Sequence, residues 1–365
     1  AFAAQVLGED GRAPFGTSPS ALVVAPTREL ALQVSRELAW LYRGAGARIA
    51  TCVGGMNPSQ ERRALKSGAT IVVGTPGRLR DHIERGALDL SGLGAVVLDE
   101  ADEMLDMGFR EELEGILDAT PDTRRTLLFS ATMPRPIEAL ARRYQSNALR
   151  IATGGSERGH GDIAYQAMTV SPSEMENAVV NLLRFHEADT AILFCATREK
   201  VRHLHATLQE RGFSAVALSG EHSQTERNQA LQALRDKRAR VCVATDVAAR
   251  GLDLPNLSLV IHFEIPRDAE ALQHRSGRTG RAGKKGTAVL VVPFPRRRRV
   301  ESMLRHAKIK AEWISAPDRD AIMAKDRERL LEVLLQPVEV HDADRELADK
   351  LLAERSPQEI AALLV

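Results

Sequence analysis

The sequence predicts an α/β protein of two parallel-sheet lobes joined by a flexible linker, with a C-terminal helical extension. Three observations carry this expectation. Short apolar runs alternate with amphipathic stretches over most of the chain, the signature of strand, crossover helix and strand. The runs are apolar throughout rather than at every second residue, as in strands covered by helices on both faces. One polar, glycine-rich stretch, residues 153–162, interrupts the alternation, which then restarts.

In chain order, the first lobe spans residues 1–152, with strands expected over 21–25, 48–53, 70–73, 95–98, 126–129 and 149–152. Helices are expected over 29–42, 108–117 and 134–144, each opening on capping or turn residues. The second lobe spans 163–293, with strands over 163–170, 191–195, 214–218, 241–244, 259–263 and 287–292 and helices over 198–211 and 224–234. After Pro293 the strand-like runs stop. Residues 294–365 read as a helical extension that opens on Arg296 to Arg299, with apolar spacing at Ile322, Leu330, Leu331, Val333 and Leu334, then at Leu347, Leu351 and Leu352. Ser356-Pro357-Gln358-Glu359 announces a last helix as a capping box with proline in its first turn. The extension is electrically split. Residues 296–310 carry seven basic and one acidic side chain, net +6, whereas 311–365 carry seven basic and thirteen acidic, net −6. Its leucine stripe either forms an oligomer surface or docks on the second lobe.

Composition bounds the function. At about 150 residues per domain, 365 residues exceed one compact core. Fifty Lys plus Arg against 49 Asp plus Glu leave a net charge of +1, which excludes a histone-like basic coat, so any anion site is local. No run approaches the roughly eighteen consecutive apolar residues of a membrane span. Cys52, Cys195 and Cys242 lie singly in apolar runs. They read as buried thiols of a reducing, cytoplasmic compartment rather than as disulfides or a zinc site.

The chemistry-bearing residues cluster at strand ends. Asp99-Glu100-Ala101-Asp102 comes directly after the run 95–98, where carboxylates at the carboxyl end of a parallel strand can hold Mg²⁺ and polarise a water. Pro26-Thr27-Arg28-Glu29-Leu30 and Thr75-Pro76-Gly77-Arg78 each close a strand and open a helix, which aims free amides, a threonine cap and an arginine at one rim. Gly54-Gly55 allows close backbone approach, and Ser130-Ala131-Thr132 brings two hydroxyls near the acids. In the second lobe Ala244-Thr245-Asp246 ends a strand, and Ala249-Arg250-Gly251-Leu252-Asp253 comes next. The run from His274 to Gly283 then concentrates three arginines and three glycines, a composition suited to phosphate.

Taken in order, these motifs resemble the DEAD-box RNA helicases of superfamily two, over about residues 1–293. The acidic motif reads DEAD rather than DEAH and is accompanied by Ser-Ala-Thr. The resemblance implies two RecA-like lobes, ATP and Mg²⁺ as cofactors and RNA as partner. On it, Asp99 holds Mg²⁺ through water, Glu100 activates the hydrolytic water, and Arg278 and Arg281 stabilise the γ-phosphate. Asp102, Ser130, Thr132 and His274 couple nucleotide state to lobe closure, and Gly251 and Asp253 touch the nucleotide. The RNA backbone meets Pro26, Thr27, Arg28, Gly55, Thr75 and Arg78, then Arg227 and Thr245. The extension resembles that of the bacterial cold-shock type, in which such a region makes dimers.

Two departures from the family pattern stand out. Ser219-Gly220-Glu221 replaces His-Gly-Asp, with Gln224 and Arg227 kept, and no G-x-x-x-x-G-K-[ST] phosphate loop occurs. Residues 2–7 resemble the helix that comes after that loop. The expectation is an ATP-dependent RNA helicase as parent and a hydrolysis-deficient fragment as this chain. The alternative is an ATP-independent RNA-binding and annealing module.

Overall fold

The computed structural model describes residues 2–364 other than Phe15, Thr17, 153–161, Asp253, Pro255, Ala282 and 338–340. The predicted linker therefore lies outside the described residues except for Asp162. The chain divides into two units, Ala1–Gly155 with Arg250–Asp253, and Ser156–Ala249 with Leu254–Val365.

In the first unit, strands β1 (Ala21–Val24), β2 (Ile49–Cys52), β3 (Ile71–Gly74), β4 (Ala95–Leu98) and β5 (Arg125–Leu128) form one sheet in the order β2-β3-β1-β4-β5. Every pairing is parallel. The uniformly apolar runs are explained by burial on both faces: Leu22, Val24, Val72, Val96 and Leu98 enter one core and Ala21, Val23, Ile71, Val73 and Val97 the other. Each large aliphatic buried this way contributes about 1.5–3 kcal/mol. The helices are α1 (Ala3–Val6), α2 (Arg28–Leu41), α3 (Pro58–Lys66), α4 (Pro76–Glu84), α5 (Ala101–Asp106), α6 (Arg110–Asp118) and α7 (Arg135–Tyr144).

The expected strand over 149–152 is not formed. Its Leu-Arg-Ile-Ala alternation suits a strand, but Leu149 and Ile151 are 83% and 74% exposed, with no strand edge or helix face packed on them among the described residues.

The second unit holds β6 (Ile163–Val170), β7 (Thr190–Cys195), β8 (Ala215–Leu218), β9 (Val241–Thr245), β10 (Leu257–His262), β11 (Gly286–Pro293) and β12 (Glu312–Ile314), ordered β12-β6-β11-β10-β7-β9-β8. All are parallel. Helices α8 (Met175–His186), α9 (Arg198–Glu210), α10 (Gln224–Arg235), α11 (Asp246–Ala249) and α12 (Ala269–Ser276) lie between them. The reading that strands stop at Pro293 is corrected by β12, which pairs with β6 and sends Ile314 against the core. Three residues are too short to show a period of two.

Helices α13 (Arg297–His306), α14 (Arg319–Leu334), α15 (Asp342–Glu354) and α16 (Pro357–Leu364) complete the extension. Helix α14 is tied to α8 by Arg329, which donates to the carbonyls of Arg184 and Phe185, and Asn181 Nδ2 reaches the Pro317 carbonyl at 2.8 Å. That satisfies part of the docking alternative. Leu331, Leu334, Leu347, Leu351 and Leu352 nevertheless stay exposed. The capping box forms as predicted, with Glu359 N donating to Ser356 Oγ at 3.2 Å and Ser356 N to Glu359 Oε2 at 2.9 Å.

Candidate functional site

A chain leaving a parallel strand must turn at its carboxyl end, so in each unit the strand-end motifs share one rim. Along the first unit's rim stand Gly54-Gly55 after β2, Thr75 to Arg78 after β3, Pro26 to Arg28 after β1, Asp99 to Asp102 after β4 and Ser130 to Thr132 after β5.

The acid turn is sharp. Glu100 adopts φ 48°, a left-handed conformation that costs a non-glycine residue strain, and its amide donates to Asp99 Oδ1 at 3.1 Å. Burial, and then the neighbouring Glu100 charge, push the Asp99 carboxyl above its ordinary range. No Lys or Arg pairs with Asp99 or Glu100 among the described residues. Two adjacent, uncompensated oxygen donors of this kind fit a hard divalent cation such as Mg²⁺.

Asp102, 5% exposed, links this turn to the next strand end. Its Oδ2 accepts from Thr132 N and Oγ1, both at 2.8 Å, and its amide donates to Ser130 Oγ at 3.1 Å. Three residues named from sequence thus form one network. It ties the turn after β4 to the turn after β5.

On the other half of the rim, Thr27 Oγ1 caps α2 by accepting from Leu30 N at 3.3 Å, and Arg28 Nη1 donates to the Gly54 carbonyl at 3.1 Å. Pro26 is buried and Gly55 takes φ 77°. Thr75 does not cap α4 with its side chain, contrary to the sequence reading, although Pro76 at the first helical position leaves the next amides free to donate. Its hydroxyl is left for other partners.

Arg78 is held by Glu61, a residue the sequence did not single out. Glu61 Oε2 accepts from Arg78 Nη1 at 2.9 Å and from His82 Nε2 at 2.7 Å, and its Oε1 accepts from Val53 N at 3.0 Å. One carboxylate therefore fixes β2, α3 and α4 relative to one another. Cys52, Glu61 and His82 offer donor atoms within 4.8 Å of one another. Burial and Glu61 push the Cys52 thiol up to about 12, and Arg78 already neutralises Glu61, so the trio is suited to a hydrogen-bonded network rather than a metal.

In the second unit Thr245 ends β9, 9% exposed, and Arg227 Nη2 donates to the Ala248 carbonyl at 3.1 Å. Ser219 is fully buried and its amide donates to His222 Nδ1 at 3.0 Å, while Glu221 lies 4.0 and 3.8 Å from Arg198 and Arg202. His274 and Arg278 are half-buried on and just after α12, and exposed Arg281 donates to the Gly277 carbonyl at 2.8 Å. Gly251 takes φ 65° in the segment grouped with the first unit; Asp253 lies outside the described residues.

Two readings of the arginine- and glycine-rich loop change. Gly280 is required by packing: it takes φ 66°, and a Cβ there would stand 2.6 Å from Ile163 Cγ1. Arg275 is structural, 3% exposed, with Nε and Nη2 on Asp246 at 2.5 and 2.7 Å and Nη1 on the Glu264 carbonyl at 2.7 Å. A further element was missed. Thr197 caps α9 by accepting from Lys200 N at 3.2 Å, and Thr197-Arg198-Glu199 after β7 repeats the Thr27-Arg28-Glu29 pattern after β1, a signal present in the sequence.

Comparison with known proteins agrees with this geometry. Residues 11–140 match the DEAD/DEAH box helicase model and residues 174–283 the helicase conserved C-terminal domain. The DEAD-box ATP-dependent RNA helicase CshA of Geobacillus kaustophilus is 39% identical over 94% of this chain and 74% of its own length. ATP-dependent RNA helicase DeaD of Haemophilus influenzae is 38% identical over 96% of this chain and 58% of its own. The chain spans 65% of CshA from Bacillus cereus. Among solved structures, S. cerevisiae Dbp5 bound to RNA and ADP BeF3 superposes with a TM-score of 0.73 at 26% identity, covering 87% of this chain and 82% of that one. No helix among the described residues is long and apolar enough to cross a membrane. With the acid turn, the Ser-Ala-Thr link and both domain models in register, the chain belongs to the DEAD-box RNA helicase family, of the bacterial cold-shock type.

Proposed function

We propose that the protein serves ATP-dependent remodelling of RNA, gripping the RNA backbone without regard to sequence. The observation that carries this is the Asp102 carboxylate bonded to Thr132 and its amide bonded to Ser130. This link joins the residues suited to hydrolysis to a neighbouring strand end, which a passive binding module does not need.

In this reading Asp99 holds Mg²⁺ through its water shell and Glu100 takes the proton of the attacking water. Arg278 and Arg281, carried by the second unit, are the cations for the γ-phosphate. His274 shares the coupling role of Asp102, and Gly251 with Asp253 borders the nucleotide. Thr27, Gly55 and Thr75 on one unit and Arg227 and Thr245 on the other meet RNA phosphates through amides, hydroxyls and guanidinium. Arg28 and Arg78, oriented by Gly54 and Glu61 through one guanidinium nitrogen each, keep their other donors for the RNA backbone. Bound ATP supplies the phosphoryl group. These 365 residues contain no G-x-x-x-x-G-K-[ST] loop, so by themselves they bind ATP weakly and hydrolyse it poorly. The exposed leucines of α14 and α15 are read as a homodimer surface, and the three reduced, buried cysteines as fitting the cytoplasm.

The test fuses a family phosphate-loop segment ahead of Ala1 and measures phosphate release with and without single-stranded RNA. RNA-stimulated turnover is expected, and Glu100→Gln abolishes it while RNA binding persists. Unchanged turnover in Glu100→Gln removes its assignment as base, and a protein that binds no RNA removes the whole reading.

A further inference from the structure

The family motifs leave the most basic part of the chain unused. Residues 296–310 carry a net +6, and the fold concentrates that charge. Strand β11 ends at Pro293, a 3-10 turn spans Phe294–Arg296, and α13 begins at Arg297. Val300, Met303 and Leu304 face the core. At 3.6 residues per turn this sets Arg298 and Arg305, two turns apart, on the outer face. Arg296 to Arg299 and Arg305 are all exposed.

Several solvated helix faces of this chain set a carboxylate one turn from an arginine, although exposed Arg36 and Arg63 have none there. Arg80, Arg85, Arg110 and Arg142 in the first unit each have one. On α13 only Arg297 does, pairing with Glu301 at 2.9 Å, while Arg299 donates to the Arg267 carbonyl at 3.1 Å. Arg296, Arg298 and Arg305 have no carboxylate partner among the described residues. The first turn of α13 holds no acid, so the guanidinium groups of Arg296 and Arg298 repel one another and also face the positive end of the helix dipole, whereas Arg305 stands in the last turn. A bound polyanion relieves both. Arginine, with its forked donors, suits phosphate better than lysine does, and Phe294, 61% exposed beside Arg296, offers a ring for a base to stack on.

Topology places Phe294, Arg296 and Arg298 on the rim already read as an RNA path, and Arg305 about 10 Å further along α13 as the helix runs back toward β12. Strands β11, β10, β7 and β9 are consecutive and parallel, so Phe294 leaves the same carboxyl rim as Thr245. Three strand spacings of about 4.8 Å set their strands roughly 14 Å apart, with Phe294 three residues beyond the level of Thr245.

We propose that Phe294, Arg296, Arg298 and Arg305 form an accessory site for single-stranded RNA, extending the path over Arg227 and Thr245. The choice of RNA as ligand rests on the function proposed above. Phosphates sit on the guanidinium groups and a base on the Phe294 ring.

The test titrates the full chain into labelled single-stranded RNAs of about six and about twelve nucleotides across a salt series. For Arg298→Ala/Arg305→Ala, binding of the longer RNA weakens roughly tenfold and the salt slope falls by about 1.4, at about 0.7 per lost phosphate contact; the shorter RNA changes less than about twofold. Arg298→Lys/Arg305→Lys keeps the slope, and Phe294→Ala weakens binding without changing it. Both arginines are exposed and unpaired, so an unchanged melting temperature accompanies these effects. Wild-type affinity and slope in the alanine pair overturn the accessory site and leave the RNA-binding reading standing. A wild-type chain that binds neither RNA overturns both.

Discussion

Arg275 offers the sharpest test of how the second unit is held together. Its guanidinium is 3% exposed, makes two bonds to Asp246 and one to the Glu264 carbonyl, and lies 5.2 Å from the Phe194 ring centroid. Charge-assisted bonds of this kind are worth about 1.5–3 kcal/mol each, and Arg275→Ala forfeits all three. The Asp246 side chain is 40% exposed and regains water when the cation leaves. The net cost is therefore about 3 kcal/mol, at the low end for a broken buried pair. For a unit of this size that lowers the melting temperature by about 6–12 °C. Asp246→Ala costs at least as much, because it strands a buried cation, and the double variant loses less than the two singles combined. The chain has two tryptophans, Trp40, 72% exposed in α2, and Trp313 in β12. In a Trp40→Phe background, Trp313 emission reports unfolding of the second unit alone. A loss below about 1 kcal/mol, or strict additivity in the cycle, would refute the buried-pair account.

Other expectations rest on single residues. Gly280→Ala meets both a left-handed φ and the Ile163 side chain, so urea unfolding should show a loss of at least about 1 kcal/mol; a neutral result would mean the loop relaxes freely. Burial raises all three thiols above their ordinary value of 9.0, Cys52 and Cys242 to about 12. The folded state then keeps protons that the unfolded state releases above pH 9. Stability from these groups is full below pH 9 and is lost as pH rises toward 12. Chemical denaturation at pH 8 and pH 10.5 reads the sign, and Ellman's reagent at pH 8 should label the thiols only after unfolding.

Most strands were legible because β1, β3, β4, β7 and β9 are buried along their whole length, which forces continuous apolar runs. The residues 149–152 carried the same local pattern without a neighbour to pair with, and β12 was too short to carry any. Pattern reports what a segment could do, and pairing depends on what the rest of the chain presents. Glu61 escaped notice, and Arg275 reads in sequence as one of the phosphate-suited arginines, for the same reason. Nothing local distinguishes a buried, triply bonded carboxylate or guanidinium from a solvated one.

Chain order settles which residues stand at each strand end, since the chain must turn at the carboxyl end of a parallel strand before crossing back. The sequence alone therefore placed Thr27, Gly55, Thr75, Asp99, Ser130 and Thr245 at strand ends. Lateral order is another matter, because it depends on which strand edges and helix faces pack best over long range. The tertiary structure decided that β2, β3 and β1 stand side by side, gathering Gly55, Thr75 and Thr27 on one half of the rim. It set β4 beside β5 on the other half, close enough for Asp102 to bond Thr132.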